Sequence, residues 1–387
     1  MSKVFSHLTT AVLIIDKYDG SHPLSNYLKS FFSADKKYGS KDRKSIAALC
    51  YAYFRTGFLK LGDTKEKILA GLFLSEKTSN PFLLQEKPHW NETIHLPLNQ
   101  KLKVLKSETE NLFPFFDELS DEINKDEFIV SLLEQPSFYL RIRPGKTKSV
   151  IQKLNTAGIP FEILEAECIS LPQSYNTQAL LNINKEVIVQ DRNSQKVLNF
   201  IDNNFLQINL TDVWDCCAAS GGKSILIYDK LKGNIRLTVS DIRESILISL
   251  KKRLAESGIN IFRSFVADLR KATMESAEYF DIIICDAPCT GSGTWSRTPE
   301  QLHYFKKNKL NDYASLQKKI ISNSVSALKN GGLYFYITCS VFKKENEEQV
   351  NFINNNFSLE FLFMEYLKGF TKKADTMFVS VFKKPDL

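Results

Sequence analysis

The sequence predicts an α/β fold preceded by a helical segment, and three observations support this prediction. From about residue 183 onward, short apolar runs alternate with stretches of helical periodicity, which is typical of a doubly wound parallel sheet. Aspartates end three of these runs, at Asp241, Asp268 and Asp286. The first 130 residues lack the alternation and favour helices. We therefore expect an all-α domain at 1–130, a small α/β linker domain at 131–182 and the sheet domain at 183–387.

The individual elements follow from the same pattern. In the last domain, apolar runs predict strands at 212–217, 235–240, 262–267, 280–285, 333–337, 359–364 and 377–382. Helices are predicted from near Lys223 and at 244–257, 311–328 and 345–352, with Asn330-Gly331-Gly332 capping the helix at 311–328. In the middle domain we expect an extended segment at 138–144, a helix at 147–157 and a strand at 161–164. In the first domain, helices are predicted at 46–54 and 121–133.

The composition narrows the class of protein. Of the 387 residues, 43% are hydrophobic, which is enough for the cores of two or three domains and argues against global disorder. The seven cysteines are odd in number, scattered and without C-x-x-C spacing, which predicts reduced thiols in a cytoplasmic protein and not a disulfide scaffold. The five histidines have no metal-ligand spacing, so no metal is predicted.

The net charge and the hydropathy of the sequence indicate which partners the protein can bind. The net charge of +7 suits a polyanionic partner such as a nucleic acid. The first residues do not resemble a signal peptide, and no apolar run approaches the roughly 20 residues of a membrane span. We therefore expect no membrane association, and we expect the protein to act as a monomer.

Two cysteines stand where an exposed nucleophile is expected. Cys289 lies in Asp286-Ala-Pro-Cys-Thr-Gly-Ser-Gly293, after one predicted strand, and Cys339 lies in Thr338-Cys-Ser340, after another. Ligands and catalytic groups gather just beyond the carboxyl ends of parallel strands. The alternative for each thiol is a buried small hydrophobe, the commonest state of a free cysteine. The loop-like composition favours the catalytic interpretation, which predicts covalent chemistry on an electron-poor carbon.

A glycine-rich turn joins the first strand of the last domain to its helix. It consists of Cys217, Ala218, Ala219, Ser220, Gly221, Gly222 and Lys223. Small residues let the backbone approach a ligand, and a helix N-terminus favours a carboxylate or phosphate. The turn matches neither the Walker A pattern nor G-x-G-x-x-G, so an ordinary tight turn is the alternative.

The aspartates at the strand ends suit a nucleoside. Asp241 stands where an acidic residue pairs with ribose hydroxyls in nucleoside-binding sheets, although helix capping is an equal alternative. Asp268 ends the third strand, where it could hold an adenine amino group. Each aspartate is a weak signal alone, and three at successive strand ends are a stronger one.

Taken together, these motifs resemble the RNA cytosine-5 methyltransferases of the Fmu/Sun type, the RsmB-like enzymes. The resemblance spans roughly 138–383 and is carried by 217–223, Asp241, 267–270, 286–293, 297–300, 316–317, 336–340 and 345–347, with 140–141, 190–191 and 194–195 upstream. It implies a Rossmann-like class I methyltransferase domain. More weakly, residues 1–130 resemble the NusB-like helical RNA-binding domain of some members, best at 41–55.

The resemblance also implies a mechanism. The cofactor would be S-adenosylmethionine, and the substrate RNA, with ribosomal RNA expected and transfer RNA as the alternative. Cys339 would add to cytosine C6, Cys289 would assist release of the covalent adduct, and Asp286 would bond the base near N3. Lys223 would either lower a thiol pKa or contact the methionine carboxylate. The cofactor would lie against the glycine-rich turn (217–223), Asp241, Asp268 and Asp286, and the target base would leave any stack to react.

Several residues depart from the family pattern. Ser220 replaces a usual proline, Thr290 a serine, Ser296 an arginine and Arg143 an asparagine. One alternative function is a non-catalytic RNA-binding protein with the same fold. Another is a DNA cytosine methyltransferase, in which Cys289 would be the nucleophile. Adenine amino-methylation typically needs an Asn-Pro-Pro-Tyr loop where this chain has Asp-Ala-Pro-Cys, and NAD oxidoreduction lacks its glycine fingerprint.

Overall fold

The computed structural model describes residues 3–165, 167–172, 177–201, 210–271 and 279–386. The chain forms two compact units. Unit 1 comprises Met1–Leu119, Ile123–Gln135 and Thr294–Lys307, and unit 2 comprises Ser120–Glu122, Pro136–Gly293 and Asn308–Leu387. The three-domain division expected from the sequence stays a prediction. Among the described residues, no helix has the length and apolar character needed to cross a bilayer.

Unit 1 is helical. Its helices are Lys3–Lys17, Leu24–Ala34, Ser40–Arg55, Thr64–Ser75, Pro81–Glu86, Pro88–Glu92, Leu98–Val104, Lys125–Leu132 and Pro299–Tyr304, with 3-10 turns at Thr109–Asn111 and Phe116–Glu118. The helix predicted at 46–54 is part of Ser40–Arg55, which buries Ile46, Leu49 and Phe54 at helical spacing in the core of the unit. Helical structure is thus confirmed here, and likeness to NusB stays a prediction.

A segment distant in sequence completes unit 1. In Thr294–Lys307, the Glu300 carboxylate accepts a hydrogen bond from the backbone N–H of Leu24 at 3.1 Å. The Tyr304 hydroxyl donates to the carbonyl of Tyr18 at 3.0 Å. The segment therefore folds with helices nearly 300 residues earlier in the chain.

Unit 2 contains a small antiparallel sheet. Its strands are β1 (Phe138–Ile142), β2 (Glu162–Glu165), β3 (Cys168–Leu171) and β4 (Val187–Val189), in the order β2-β3-β1-β4. The helix Thr147–Thr156 packs Val150 and Leu154 against Leu140 of β1, and Thr177–Ala179 forms a 3-10 turn.

The second sheet of unit 2 has seven strands. They are β5 (Thr211–Asp215), β6 (Ile235–Asp241), β7 (Arg263–Val266), β8 (Phe280–Asp286), β9 (Leu328–Thr338), β10 (Glu360–Leu367) and β11 (Met377–Lys383). Their order is β10-β11-β9-β8-β5-β6-β7, and β11 alone runs in the direction opposite to the other six strands. This is the Rossmann order with a hairpin at one edge, so the predicted Rossmann-like α/β fold is confirmed.

Helices cover both faces of this sheet. Alternate residues of each strand point to opposite sides, so Val213 and Ile282 face the helices Gly222–Lys230 and Glu244–Glu256. Trp214 and Ile283 face Asn308–Val325 and Glu347–Asn356 instead. The carboxyl ends of β5, β6, β7, β8 and β9 consequently emerge at one edge, where the candidate site lies.

Some predicted boundaries were wrong. The helix expected at 121–133 begins at Lys125 because the Asn124 side chain caps it, and the helix expected at 311–328 is Asn308–Val325. Asn330-Gly331-Gly332 does not cap that helix but lies within β9, because Gly331 N donates to Lys384 O at 2.9 Å and Lys384 N donates to Gly332 O at 2.9 Å. The helix expected at 345–352 begins at Glu347, after the 3-10 turn Lys343–Glu345.

Candidate active site

The two candidate cysteines meet above the ends of two neighbouring strands. In the β8–β9 pair, Asp286 aligns with Ile337, so the loops that follow begin side by side. The Sγ atoms of Cys289 and Cys339 lie 3.4 Å apart, and both residues are half-buried. The Gly293 N–H donates to the Cys339 carbonyl at 2.8 Å and joins the two loops. The hydrogen bond with Cys339, followed by burial, raises the pKa of the Cys289 thiol.

A lysine–aspartate ion pair connects this thiol pair with the glycine-rich turn. Lys223 Nζ lies 2.5 Å from Asp286 Oδ2. Burial lowers the pKa of Lys223, but the attraction of Asp286 outweighs it, with smaller contributions from Cys339 and Asp215. The net pKa therefore lies above the ordinary value of a lysine, and the ammonium stays charged beside the thiols.

The turn itself is tightly built. Gly221 has a φ of 81°, a left-handed conformation that favours glycine, and a Cβ there would lie 2.3 Å from Leu250 Cδ1, so that side chain would have to shift. The Ser220 carbonyl accepts from Arg253 Nη1 at 2.8 Å, at the position where proline is usual. Helix Gly222–Lys230 begins immediately afterwards and presents Lys223 in its first turn.

Asp241 ties the turn to the end of β6. Its carboxylate accepts from Ala219 N at 3.1 Å and from Arg243 N at 2.9 Å, and the Arg243 guanidinium lies 3.0 Å away. Burial raises the pKa of Asp241, but the hydrogen bonds from Arg243 and Ala219 and the charge of Arg243 outweigh it, so the pKa lies below its usual value. Asp241 is thus an ionised hydrogen-bond acceptor at the mouth of the turn.

Asp268, just beyond β7, is paired with an arginine in the same way as Asp241. The Arg270 guanidinium donates two hydrogen bonds to it, at 2.7 and 2.8 Å. These bonds are the main cause that lowers the pKa of Asp268 to about 2. An Asp-x-Arg pair therefore follows both strands, and each carboxylate is held ionised.

The two Asp-x-Arg pairs and Asp286 line a cavity of about 390 Å³. It is lined by Cys216, Cys217, Ala219, Asp241, Ile242, Arg243, Ala267, Asp268, Leu269, Arg270, Asp286, Pro288, Leu316 and Ile320. The lining combines ionised carboxylates, which accept from hydroxyl or amino groups, with apolar side chains that can contact a flat ring. A nucleoside cofactor fits this donor set. In the described part of the chain, no cluster of three or more histidine, cysteine or acidic residues is arranged to hold a metal.

The predicted cofactor residues divide into two groups. Cys217, Ala219, Asp241, Asp268 and Asp286 line the cavity. The remainder, Ala218, Ser220, Gly221, Gly222 and Lys223, belong to the adjoining turn and helix and are not part of its lining.

Sequence reasoning missed two buried acids. Glu345 is the first residue of the helix predicted at 345–352, where an exposed acid is expected, yet its side chain is fully buried and accepts hydrogen bonds from the Cys289 loop and the Cys339 loop. Asp215 is buried at the end of β5, where its Oδ2 accepts from the Ser224 hydroxyl at 2.6 Å. Its position at a strand end, like those of the other three aspartates, was the available signal.

The contacts of two residues that depart from the family pattern, Thr290 and Arg143, are defined by the structure. Thr290 keeps the hydroxyl of the usual serine and donates it to Glu345 Oε2 at 2.6 Å. Arg143, where asparagine is usual, forms an ion pair with Asp229 at 2.7 Å. Arg143 is thus engaged inside unit 2.

Comparisons with known proteins agree with this fold. The sequence model of the 16S rRNA methyltransferase RsmB/F family matches residues 180–376. The chain is 32% identical over 170 residues to the probable ribosomal RNA small subunit methyltransferase B of Bacillus subtilis, covering 43% of this chain and 37% of that protein. It is 29% identical over 237 residues to the ribosomal RNA small subunit methyltransferase B of Xylella fastidiosa, covering 59% and 54%.

A solved structure shares the fold. The crystal structure of PH0851 aligns with a TM-score of 0.72 at 19% identity, covering 99% of this chain and 98% of that chain. The matched segments span only about a third to a half of the two curated relatives, 37% and 54%.

The sheet order, the cavity and the neighbouring turn define a class I methyltransferase, the class that transfers a methyl group from S-adenosylmethionine. The family match covers half of the chain. The chain therefore belongs to the RsmB/F family of methyltransferases, and the family predicted from the sequence motifs is confirmed, together with its cofactor.

Proposed function

We propose that this chain methylates C5 of cytosine in RNA, using S-adenosylmethionine and a covalent bond between Cys339 and cytosine C6. The observation that carries the proposal is the 3.4 Å separation of the Cys289 and Cys339 Sγ atoms at the ends of neighbouring strands. One pyrimidine ring can reach both sulfur atoms when they are this close. The charged Lys223–Asp286 pair joins the glycine-rich turn to the segment that carries Cys289.

The residues would divide the reaction as follows. The Cys339 thiolate adds to C6, which makes C5 an enamine carbon able to accept a methyl group. S-adenosylmethionine, when bound, supplies that group as an electrophilic methyl on a sulfonium. A water molecule then takes the C5 proton, the C5–H electron pair forms the C5=C6 double bond, and the Cys339–C6 bond breaks, which restores the thiolate and the aromatic base. Cys289 assists this release, and Asp286 hydrogen-bonds the base near N3.

The cavity supports the placement of the cofactor. Asp241 would accept from the ribose hydroxyls and Asp268 from the adenine amino group, while Ile242 and Leu269, which line the cavity, would contact the ring. Lys223 would supply a positive charge at the end of the cofactor turn that faces Asp286.

Ribosomal RNA is the proposed substrate, and transfer RNA is the second candidate. The family and both curated relatives are described by ribosomal RNA methylation, and the net charge of +7 favours a polyanion. Action as a monomer in the cytoplasm stays part of the prediction.

Substitution of the two cysteines tests the mechanism. Cys339→Ser should abolish incorporation of labelled methyl groups into RNA, because serine is not ionised at neutral pH. Cys289→Ser should accumulate a protein–RNA adduct that survives denaturing electrophoresis, because release is impaired. Cys168→Ser, a buried residue of β3, is the matched control and should retain methylation without adduct.

The same experiment distinguishes the alternatives. If Cys289→Ser abolishes methylation and Cys339→Ser traps the adduct, the roles are reversed, as in DNA cytosine methyltransferases. If the wild type binds RNA and transfers no methyl group to any RNA of cells lacking the gene, the non-catalytic alternative is favoured. Bisulfite sequencing of RNA from cells with and without the gene then locates the modified cytosine.

A further inference from the structure

A single buried carboxylate connects the two cysteine loops. Glu345 is fully buried, and both of its oxygens accept hydrogen bonds. Oε1 accepts from the Thr290 N–H at 2.9 Å and from Gln317 Nε2 at 3.1 Å. Oε2 accepts from the Thr290 hydroxyl at 2.6 Å and from the Ser340 hydroxyl.

The partners of Glu345 follow the cysteines directly in sequence. Thr290 follows Cys289, and Ser340 follows Cys339. Each cysteine is therefore one residue from a group that donates to the same carboxylate. Gln317, in the helix Asn308–Val325, also donates to the Pro288 carbonyl at 3.0 Å, so the first loop is held on both sides of Cys289.

Further hydrogen bonds reinforce this arrangement. The hydroxyls of Ser292 and Ser340 lie 3.1 Å apart, and the Val341 N–H donates to the Ser292 hydroxyl at 2.9 Å. On the other side, the Tyr336 hydroxyl donates to the Glu345 carbonyl at 2.7 Å. The position of Glu345 is thus fixed by β9, and the two loops are fixed by Glu345.

The chemistry of the partners requires a carboxylate. All four groups that contact the Glu345 oxygens donate hydrogen bonds, and a carboxylate only accepts. A glutamine of the same shape would direct its NH₂ group at two of these donors, which would leave them without an acceptor. The loops would then separate even though the side-chain volume is unchanged.

We propose that Glu345 is the positioning residue of the active site, which holds the Cys289 and Cys339 sulfur atoms within reach of one pyrimidine. Glu345 acts through Thr290 and Ser340 and does not contact the base. This role rests on the proposed function for its catalytic consequence, but the placement of the sulfur atoms can be measured without any methyl transfer.

The test compares Glu345→Gln with Glu347→Gln. Glu347, two residues away, accepts from the Tyr366 hydroxyl at 3.0 Å and from Ser120, and none of these groups belongs to a cysteine loop. Phenylarsine oxide bridges two adjacent thiols with loss of water, so its rate of bridging Cys289 to Cys339, mapped by peptide mass spectrometry, reports their proximity. Melting temperature, affinity for S-adenosylhomocysteine and the methylation constants kcat and KM are measured on the same samples.

For Glu345→Gln we expect bridging to slow by about tenfold or more and kcat to fall about 10- to 100-fold with KM nearly unchanged, because reacting groups displaced by about 1 Å lose this much rate. Cofactor affinity should stay within about twofold, since neither Glu345 nor its hydrogen-bond partners Thr290, Gln317 and Ser340 line the cavity. Glu347→Gln should retain wild-type bridging and kcat. Equal bridging in wild type and Glu345→Gln, or equal slowing in both variants, would overturn the proposal.

Thr290→Val covers the case in which Glu345→Gln does not fold. Valine keeps the branched shape and removes the hydroxyl that donates to Glu345, so bridging and kcat should fall by about threefold to tenfold. Wild-type values in this variant would contradict the positioning role. If bridging depends on Glu345 while the wild type methylates no RNA, the proposed function fails and the positioning role stands.

Discussion

The sulfur atoms of Cys289 and Cys339 lie 3.4 Å apart, although the two residues are 50 positions apart in the chain. The proximity results from the parallel pairing of β8 and β9, which starts both loops at the same edge, and from Glu345, which accepts hydrogen bonds from both loops. Neither loop alone would bring its thiol close to the other thiol.

The first prediction is that mild oxidation joins these two thiols. Hydrogen peroxide converts one thiolate to a sulfenic acid with release of hydroxide, and the other thiol displaces water to give a disulfide. The sulfur atoms need to approach from 3.4 Å to about 2.05 Å, which side-chain rotation can supply. Peptide mapping without reductant should show a Cys289–Cys339 link that dithiothreitol reverses. Cys168→Ser should form the same link, and a predominant link between other cysteines would contradict the geometry.

The second prediction concerns Asp241 and the cofactor. Asp241→Asn removes a charged acceptor at the cavity while keeping the size of the side chain, so the Kd for S-adenosylhomocysteine should rise about tenfold. Isothermal titration calorimetry measures the change. Asp212→Asn is the control, because Asp212 lies near the beginning of β5, where it pairs with Lys329 at 2.7 Å, away from the cavity. Equal losses of affinity in both variants would show a general loss of fold.

The third prediction concerns the close approach at Gly293. A Cβ at this position would lie 2.1 Å from the Thr376 carbonyl oxygen and 3.0 Å from that of Cys339, and neither backbone atom can move aside alone. Gly293→Ala should therefore lower the free energy of unfolding by about 1–3 kcal/mol, as overpacking does. Gly39→Ala is the control, since its Cβ would meet only the end of the Asp42 side chain, at 3.3 Å. Urea unfolding of the two variants should differ, and coincident curves would refute the packing argument.

The fourth prediction is a pH dependence caused by Asp215. Burial, the largest cause, and the charge of Asp286 raise the pKa of Asp215 to about 7, against the hydrogen bond from Ser224 and the charge of Lys223. An unfolded aspartate has a pKa of about 3.9. Between these values the unfolded state has released a proton that the folded state keeps. Rising pH therefore favours unfolding, and the contribution of Asp215 is lost from about pH 4 to about pH 7.

Asp215→Asn removes this titration, so the difference between the wild type and the variant isolates the contribution of Asp215. The free energy of unfolding of the wild type minus that of the variant should fall across this window by an amount on the order of 4 kcal/mol, and it should be flat above about pH 8. Urea titrations at several pH values measure the difference. A difference that stays constant from pH 4 to pH 8 would contradict the buried setting of Asp215.

The strands of the large sheet could be predicted because each is a short apolar run with a polar residue at its end. The meeting of the cysteine loops follows from the same rule, since parallel strands deliver their carboxyl ends to one edge. The start of β9 could not be predicted, because Asn330-Gly331-Gly332 has the local composition of a helix cap and is held in the strand by pairing with Lys384. That pairing depends on a residue far along the chain.

The positions of Glu345 and Glu300 escaped prediction for a related reason. Acidic residues near a helix start are usually solvated, and only the donors gathered by other segments show that these two side chains are buried. For Glu300, the donor is the backbone N–H of Leu24. No local sequence pattern near residue 300 predicts this contact.

The return of Thr294–Lys307 to the helices of unit 1 has a consequence for synthesis of the protein. A nascent chain that has emerged only as far as Gln135 still lacks the carboxylate that satisfies Leu24 and the tyrosine that reaches Tyr18. These groups arrive about 170 residues later, a delay of roughly ten to thirty seconds at usual elongation rates. Unit 1 therefore gains its full set of contacts only after most of the polypeptide has left the ribosome.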